Sequence, residues 1–149
     1  MHIEQSGLGL PDEAYYREDN YAPIRTEYVK MVASLLRLAG YGDATTTQAQ
    51  AERFLNVETK IASYHWDNVA TRDSQKTYNP CNYADLAKTL EALNLDAFLD
   101  ATQKAYDNCE EATNQPINLR EAFNKVVVHE PSFMAVSYTH LRAHETSLH

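Results

Sequence analysis

The chain has 149 residues, a length that fits one domain with a single hydrophobic core. The chain is acidic, with a formal net charge of -8 and a pI near 5.1. An acidic surface repels phosphate backbones, which argues against nucleic acid as a partner. No apolar run approaches the roughly 20 residues of a membrane-spanning helix, so we expect no membrane contact from this segment. The two cysteines, Cys81 and Cys109, form no C-x-x-C pair, and we interpret both as buried free thiols.

A short helix and then a long one are predicted near the start of the chain. Residues 7–12 (GLGLPD) form a loop because glycine and proline interrupt regular structure, and Asp12 can cap a helix that runs to Glu18. From Pro23 to Gly40 the pattern predicts an amphipathic helix. Its apolar stripe, spaced alternately by four and three residues, consists of Ile24, Tyr28, Met31, Leu35 and Leu38.

Three further helices are predicted in the middle of the chain. Thr46 or Thr47 can cap the first, whose stripe continues towards Val69. Asn82 begins the second with a capping-box pattern, and the third is expected over residues 96–111. The inward-facing residues are Ala51, Phe54, Leu55, Ile61, Ala62 and Trp66 in the first, Tyr83, Leu86, Leu90 and Leu93 in the second, and Leu95, Phe98, Leu99, Thr102 and Tyr106 in the third.

The predicted fold is mainly α: a multi-helix, bundle-like fragment with one short β-strand near residues 126–128. The strand is a run of three valines that Pro131 closes, and Asn118 can start a helical turn before it. It has no predicted partner strand within the chain. Because unpaired buried backbone groups are costly, we expect the rest of its sheet to lie in sequence outside this chain.

Three histidines near the end of the chain, His140, His144 and His149, are candidate zinc ligands. A zincin needs His-Glu-x-x-His, because histidines four residues apart share a helix face and the glutamate can act as a base. His144-Glu145 is instead followed by His149, five positions on and about 140° around a helix. His140 and His144 are four apart but match neither the direct nor the inverted motif. We predict no catalytic, cofactor-binding or metal residue in this chain.

Residues 136–149 raise a separate question about their origin. The stretch VSYTHLRAHET resembles the peptide obtained when a sequencing adapter is translated at the end of a truncated gene model. We therefore expect this tail to be non-native and residues 1–135 to be the natural part. The tail contains one arginine and one glutamate, so removing it leaves the net charge at -8.

Glu58 lies on an apolar helix stripe, where a carboxylate needs a partner. It could transfer protons, but no second catalytic group has a fixed spacing to it, so we favour a buried or half-buried ion pair with Arg72 or Lys76. His65, on the same face, is interpreted as a packed core histidine rather than a ligand. The charged bend around Asp73 is interpreted as a folding device in which this aspartate caps or pairs locally.

Several short motifs follow one another along residues 1–135. They are HIEQ at 2–5, GLGLPD at 7–12 with Tyr15-Tyr16, ETKIA at 58–62, Arg72-Asp73 with Lys76 and Tyr78-Asn79, and Val126-Val127-Val128 with Glu130-Pro131. In order, spacing and residues they resemble the N-terminal region of the neprilysin and endothelin-converting-enzyme family of zinc metallopeptidases. The resemblance stops where the suspected tail begins.

The resemblance implies a large enzyme in which two mostly helical domains enclose a chamber that admits oligopeptides. Its zinc would be held by His-Glu-x-x-His and a later glutamate, and a metal-activated water would attack the peptide bond. Neither these motifs nor the family's asparagine-alanine-aromatic motif occurs in this chain. We therefore expect a truncated part of the chamber-covering domain, inactive alone, with zinc only in the full-length parent. Its expected partners are the missing catalytic domain and, in the full-length enzyme, oligopeptide substrates.

A second hypothesis is a stand-alone acidic helical module that binds a partner helix with one of its apolar stripes. It rests on the presence of four stripes without a chemical site. A monomeric, cooperatively melting protein would favour the module, whereas aggregation would favour a fragment separated from its neighbours.

Overall fold

A computed structural model describes residues 1–90, 93–109 and 116–136 of the chain. The chain divides into two compact units, each with its own hydrophobic clusters. Ser6–Asn68 form the first, which we call the hairpin unit, and Met1–Gln5 together with the chain from Val69 onward form the second, the sheet unit. The length of the chain had suggested one domain with one core, and the structure replaces that expectation with two units.

The hairpin unit is built on two long helices that pack along each other. Its elements are α1 (Ala14–Arg17), a 3-10 turn (Asp19–Tyr21), α2 (Ala22–Leu38) and α3 (Ala44–Ala62). Pro23 lies in the first turn of α2, as predicted, where its missing N–H leaves no helical hydrogen bond unmade. Val29 and Ala33 of α2 pack against Ala51 of α3, and the small alanines let the two helices approach closely.

Most of the apolar stripe predicted for α2 faces outward in the structure, although Tyr28 is partly buried and packs against Leu10, Tyr16 and Ala62. Leu35 is 56% exposed and Leu38 is 84% exposed, and Ile24 and Met31 are exposed as well. The face that packs on α3 lies roughly 120° further around the helix, at 100° per residue. The prediction was wrong for the four other stripe residues because α2 carries a second apolar face, and the side chains of that face fit the helix–helix contact.

The bounds of α3 also differ from the predicted ones. Asp43, not a threonine, caps the helix by accepting a hydrogen bond from the Thr46 N–H at 2.8 Å. Thr47 turns its hydroxyl back to the Asp43 carbonyl oxygen at 2.8 Å. The helix ends at Ala62 instead of continuing towards Val69.

The sheet unit contains three short strands, so the expectation of a lone strand was wrong. They are β1 (His2–Ile3), β2 (Asn79–Cys81) and β3 (Val126–Val128), in the order β1-β3-β2. β1 pairs with β3 in parallel, and β2 pairs with it antiparallel. Strands of two or three residues have no readable alternation, and β2 contains Pro80, a residue that suits an edge strand. The partners of β3 therefore lie within the chain.

Short helices cover this sheet, and the mainly α fold is confirmed. They are α4 (Tyr83–Thr89), α5 (Leu95–Asp107), α6 (Leu119–Ala122) and a helical segment over residues 131–136. Asn82 caps α4 by accepting from the Asp85 N–H at 3.0 Å, and Asn118 caps α6 in the same way, as predicted. The core of this unit consists of Leu86, Leu90, Leu95, Leu99, Val126 and Val128.

Two predicted features of this unit need correction. Phe98 and Thr102 of α5, expected to face inward, are exposed, while the same prediction for Leu95 and Leu99 is confirmed. Cys109 is also exposed, so only Cys81 is partly buried, and burial raises the pKa of the Cys81 thiol. The helix α5 begins one residue before the predicted start at residue 96 and ends at Asp107, before the predicted end at residue 111. Among the described residues, no helix combines the length and apolarity needed to cross a bilayer.

Candidate functional site

The best-organised polar site in the hairpin unit is built around Glu58, which projects from α3 and is only 5% exposed. Its Oε1 accepts a hydrogen bond from the Gly9 N–H at 3.0 Å, and its Oε2 accepts one from the Tyr16 hydroxyl at 3.0 Å. The Leu10 N–H in turn donates to the Tyr16 hydroxyl oxygen at 2.9 Å. Glu58 thereby fastens the loop of residues 7–12 to α3.

These contacts replace the ion pair predicted for Glu58. Its partners in the structure are neutral donors, and Lys76 pairs with Asp73 at 3.5 Å. Hydrogen bonds from several neutral donors can compensate the burial of a carboxylate, because the donors carry the positive ends of their dipoles towards it. The function of Glu58 in this structure is to hold the loop in position.

Two tyrosines support this arrangement in their protonated form. Burial, reinforced by the hydrogen bond to Glu58, raises the pKa of Tyr16 to about 12. The pKa of Tyr28 is raised for the same two reasons. Both hydroxyls therefore remain donors at physiological pH. Gly9 is required here, because a Cβ at this position would collide with the Tyr28 hydroxyl and lie 3.2 Å from Glu58 Oε1.

A polar cavity of about 460 Å³ lies beside this cluster in the hairpin unit. At its wall, Arg17 pairs with Glu13 at 3.1 Å and with Glu18 at 3.3 Å. Burial lowers the pKa of His65, which favours a neutral imidazole at this wall. The cavity is lined by Glu13, Tyr16, Arg17, Thr59, Ala62, Ser63, His65 and Asp67.

His65 was predicted to be a packed core histidine, but it is partly exposed and lines this cavity. The folding role predicted for the bend around Asp73 is confirmed. Its carboxylate accepts hydrogen bonds from the Gln75 and Lys76 N–H groups at 3.1 and 3.3 Å, and these bonds lower its pKa. Asn79 then donates to the Val128 carbonyl oxygen at 3.0 Å, which ties the bend to β3.

Arg120 organises a surface cluster in the sheet unit that the sequence did not reveal. It pairs with Asp96 and lies 2.9 Å from Asp100 on α5, while Tyr83 also donates to Asp96. The hydrogen bonds from Tyr83 and Arg120 lower the pKa of Asp96. The side chains in contact are 13 to 24 residues apart in sequence, so no local spacing could have indicated the cluster. Its contacts join α4, α5 and α6 and indicate a structural role.

Neither of these sites fits a zinc centre. In the part of the chain that the structure describes, no group of three or more histidine, cysteine, aspartate or glutamate side chains is arranged to hold a metal ion. Zinc sites in metallopeptidases need three protein ligands and an open position. The tail histidines at 140, 144 and 149 lie outside the described residues, so the prediction of no zinc site there stays a prediction.

Comparison with known proteins identifies the family of the chain. Residues 1–146 match the family model described as peptidase family M13, in its N-terminal part. The chain belongs to this family. Since the match spans nearly the whole sequence, the predicted resemblance to the neprilysin and endothelin-converting-enzyme family is confirmed. The match runs past residue 135 to residue 146, so the expectation that the resemblance stops where the suspected tail begins was wrong.

Individual relatives show how much of an M13 protein this segment represents. It is 31% identical to endothelin-converting enzyme 1 of Cavia porcellus over 101 residues, covering 67% of this chain and 13% of that protein. It is 27% identical to neprilysin-3 of Drosophila melanogaster, covering 90% of this chain and 16% of that protein. The segment thus spans less than a fifth of the length of these curated relatives.

Solved structures give the same result for the fold. The open-state cryo-EM structure of the Mycobacterium tuberculosis zinc metalloprotease Zmp1 superposes with a TM-score of 0.75 at 28% identity. That match covers 93% of this chain and 19% of the Zmp1 chain. An inhibitor complex of Zmp1 matches with a TM-score of 0.72 over the same shares. Nearly all of the M13 segment therefore has a counterpart in a larger, solved metalloprotease.

Proposed function

We propose that residues 1–135 form part of the substrate-enclosing helical domain of a zinc metalloendopeptidase that hydrolyses oligopeptides. In this proposal the segment supplies none of the catalytic zinc ligands and is inactive alone. The family match over residues 1–146 carries the proposal, because the chain resembles the N-terminal part of M13 peptidases along nearly its whole length. The full-length parent would bind zinc and peptide substrates, and its catalytic domain would be the main partner of this segment.

The lengths and names of the relatives support the proposal that the zinc ligands lie in another part of the full-length enzyme. The matched solved chains are named zinc metalloproteases, and this segment covers 19% of them. The sequence contains no His-Glu-x-x-His, and the described residues hold no three-ligand group. The residues present therefore do not fit the zinc ion. What they provide is a fixed framework, as the hydrogen bonds of Glu58 to Gly9 and Tyr16 illustrate.

The inactivity of the segment can be tested on the purified 149-residue chain. We expect no cleavage of short fluorogenic peptides, with or without added Zn²⁺, because the ligands and the base of a metallopeptidase are missing. The control is a mock purification from cells that carry the empty expression vector. Turnover that a chelator abolishes, that zinc restores and that reappears in independent preparations would overturn the proposal.

The fragment assignment is tested by reading the genomic DNA on both sides of the coding sequence. We expect an open frame that continues from codon 135 into sequence encoding His-Glu-x-x-His and asparagine-alanine-aromatic motifs. We also expect the genome to diverge from the present sequence after codon 135, since residues 136–149 are proposed to be adapter-derived. A continuous frame without a downstream zinc motif would contradict the assignment.

The alternative function, a stand-alone acidic module that binds a partner helix, is favoured by one observation. The stripe of α2 with Leu35 and Leu38 is exposed, as a helix-binding surface would be. Light scattering and thermal melting of the 149-residue chain distinguish the two. A monomer with one cooperative transition supports the module, and aggregation or a broad transition supports the fragment.

A further inference from the structure

Two histidines from distant parts of the sequence lie side by side on the sheet of the sheet unit. His2 is in β1, opposite Val127 in the parallel register with β3, and His129 follows two residues after Val127. The strand pairing fixes both backbones, because the Val127 N–H donates to the Met1 carbonyl oxygen and the His129 N–H donates to that of Ile3, each at 2.9 Å. The two side chains emerge on the same face as diagonal neighbours.

The ring nitrogens of this pair converge on each other. His2 Nδ1 and His129 Nε2 are 2.8 Å apart, and the rings meet edge to face with their centroids 5.1 Å apart. In a hydrogen bond between neutral imidazoles, the donating ring carries its single proton on the shared nitrogen, and the accepting ring carries its proton on the far nitrogen. If the donating ring changes tautomer, so that its proton moves to its own far nitrogen, two lone pairs point at a common position.

Two converging imidazole nitrogens are a recognised ligand set for borderline metal ions. Nitrogens that bind one ion at about 2.0–2.1 Å, with an angle of 90–109° between them, are about 2.9–3.4 Å apart. The observed separation is close to this range, and the exposed side chain of His2 needs only a small rotation to reach it. We propose that His2 and His129 form a two-histidine site for a divalent transition-metal ion of the copper, nickel and zinc group.

This site has two protein ligands, and water would complete the coordination. The neighbouring carboxylate of Glu130 is buried and accepts a hydrogen bond from the Gln5 N–H at 2.8 Å. That hydrogen bond engages Glu130 Oε2 with the backbone, so we do not include Glu130 among the ligands. The bound ion would connect β1 to β3 and so stabilise the sheet, because binding to the folded state alone shifts the unfolding equilibrium.

The test uses the full 149-residue chain with its other metal-binding groups controlled. His140, His144 and His149 are replaced by asparagine in every protein, because a histidine-rich tail can bind the same ions. A second version carries a Gly-Ser extension before Met1, since the terminal amine beside His2 can also chelate metal. Binding of Cu²⁺, Zn²⁺ and Mg²⁺ is measured by calorimetric titration, and thermal midpoints are recorded with and without each ion.

We expect Cu²⁺ to bind more tightly than Zn²⁺, Mg²⁺ not to bind, and the thermal midpoint to rise with Cu²⁺ or Zn²⁺. The variants His2→Asn and His129→Asn should each weaken binding at least about tenfold, because loss of an outer-shell partner alone already costs that much. The matched control His65→Asn, in the other unit, should bind as the parent does. Asparagine keeps a polar group on the strand, and melting without metal shows whether each variant is folded.

Three outcomes overturn the proposal. The first is unchanged affinity in a folded His2→Asn or His129→Asn variant. The second is loss of binding when the Gly-Ser extension is added, which would assign chelation to the terminal amine. The third is equal loss of binding in His65→Asn, which would mean that binding is not specific to the pair.

Discussion

At the scale of single residues, the most consequential side chain is Glu58. Its carboxylate is buried on α3, and its hydrogen bonds to the Gly9 N–H and the Tyr16 hydroxyl hold the loop before α1. The sequence identified Glu58 as a carboxylate that needs a partner, because it interrupts an apolar stripe. It could not identify the partners, since Gly9 is 49 residues away and neither glycine nor tyrosine carries a charge that would have suggested a pairing.

We predict that Glu58→Ala lowers the free energy of unfolding of the hairpin unit by about 3 kcal/mol. The substitution leaves buried donors without an acceptor, and each unsatisfied group costs about 1–3 kcal/mol. Urea denaturation followed by circular dichroism measures the change. Glu52→Ala, an exposed position on the same helix, is the control and should change stability by less than about 0.5 kcal/mol. Equal effects at both positions would show that the Glu58 contacts do not stabilise the fold.

We predict that ionisation of Tyr16 lowers the stability of the fold at alkaline pH. Its pKa in the folded state is about 12, raised by burial and by Glu58. An unfolded tyrosine titrates near 10, so the folded state holds its proton more tightly and stability falls as pH rises from about 10 to about 12. The loss should be on the order of 2 kcal/mol, since one pKa unit corresponds to about 1.4 kcal/mol.

The measurement compares the parent with Tyr16→Phe in denaturant titrations at several pH values. The other tyrosines and the lysines titrate in both proteins, so their contribution cancels in the difference. The parent should lose stability more steeply than the variant above pH 10. Parallel curves would contradict the assignment of a raised pKa to Tyr16.

At the scale of elements, α2 shows why an apolar stripe alone does not identify a buried face. Its larger apolar residues, such as Leu35 and Leu38, are exposed, and the face with Val29 and Ala33 packs on α3. Close helix packing selects for side-chain shape as well as hydrophobicity, and Ala51 on α3 provides the matching surface. The caps were easier to predict, because Asn82 and Asn118 bond to N–H groups only three residues away.

We predict that Val29→Ala destabilises the hairpin unit more than Leu35→Ala does, although leucine loses more atoms. Val29 is buried, so its truncation removes buried methyl groups and leaves a cavity, at a cost of about 2 kcal/mol. Leu35 is 56% exposed, and its truncation should cost less than about 0.5 kcal/mol. Chemical denaturation of the two variants tests this order. The reverse order would mean that the stripe with Leu35 is the buried face.

At the scale of the whole molecule, the sheet joins segments from both ends of the described chain. β1 starts at residue 2, β3 ends at residue 128, and β2 completes the sheet between them in sequence. The sheet unit is thus discontinuous in sequence, and the hairpin unit is one continuous insertion between Gln5 and Val69. The motif HIEQ at residues 2–5 therefore contains the strand that pairs with β3, the central strand of the sheet.

We predict that deleting residues 1–3 removes hydrogen-exchange protection from two backbone amides on the side of β3 that pairs with β1. The Val127 N–H donates to Met1 and the His129 N–H donates to Ile3, each at 2.9 Å, so both lose their acceptors. Hydrogen exchange at these amides should accelerate at least about tenfold. The Leu90 N–H, bonded within its helix to Leu86, is the control and should keep more of its protection. Unchanged protection at Val127 and His129 would show that β1 does not pair with β3.

The sequence by itself determined the features that depend on neighbouring residues and on ordered motifs. Helix periodicity predicted the mainly α class, and the three-residue spacing of Asn82 and Asp85 predicted a cap. Asn118 was predicted to start a helical turn, and the motif series from HIEQ to the three valines predicted the family. Only the tertiary structure decided the features that depend on distant contacts. These are the neutral partners of Glu58, the buried face of α2, the two strands beside β3 and the His2–His129 pair. The physical reason is that hydrogen bonds and packing between distant residues leave no periodic trace in the sequence.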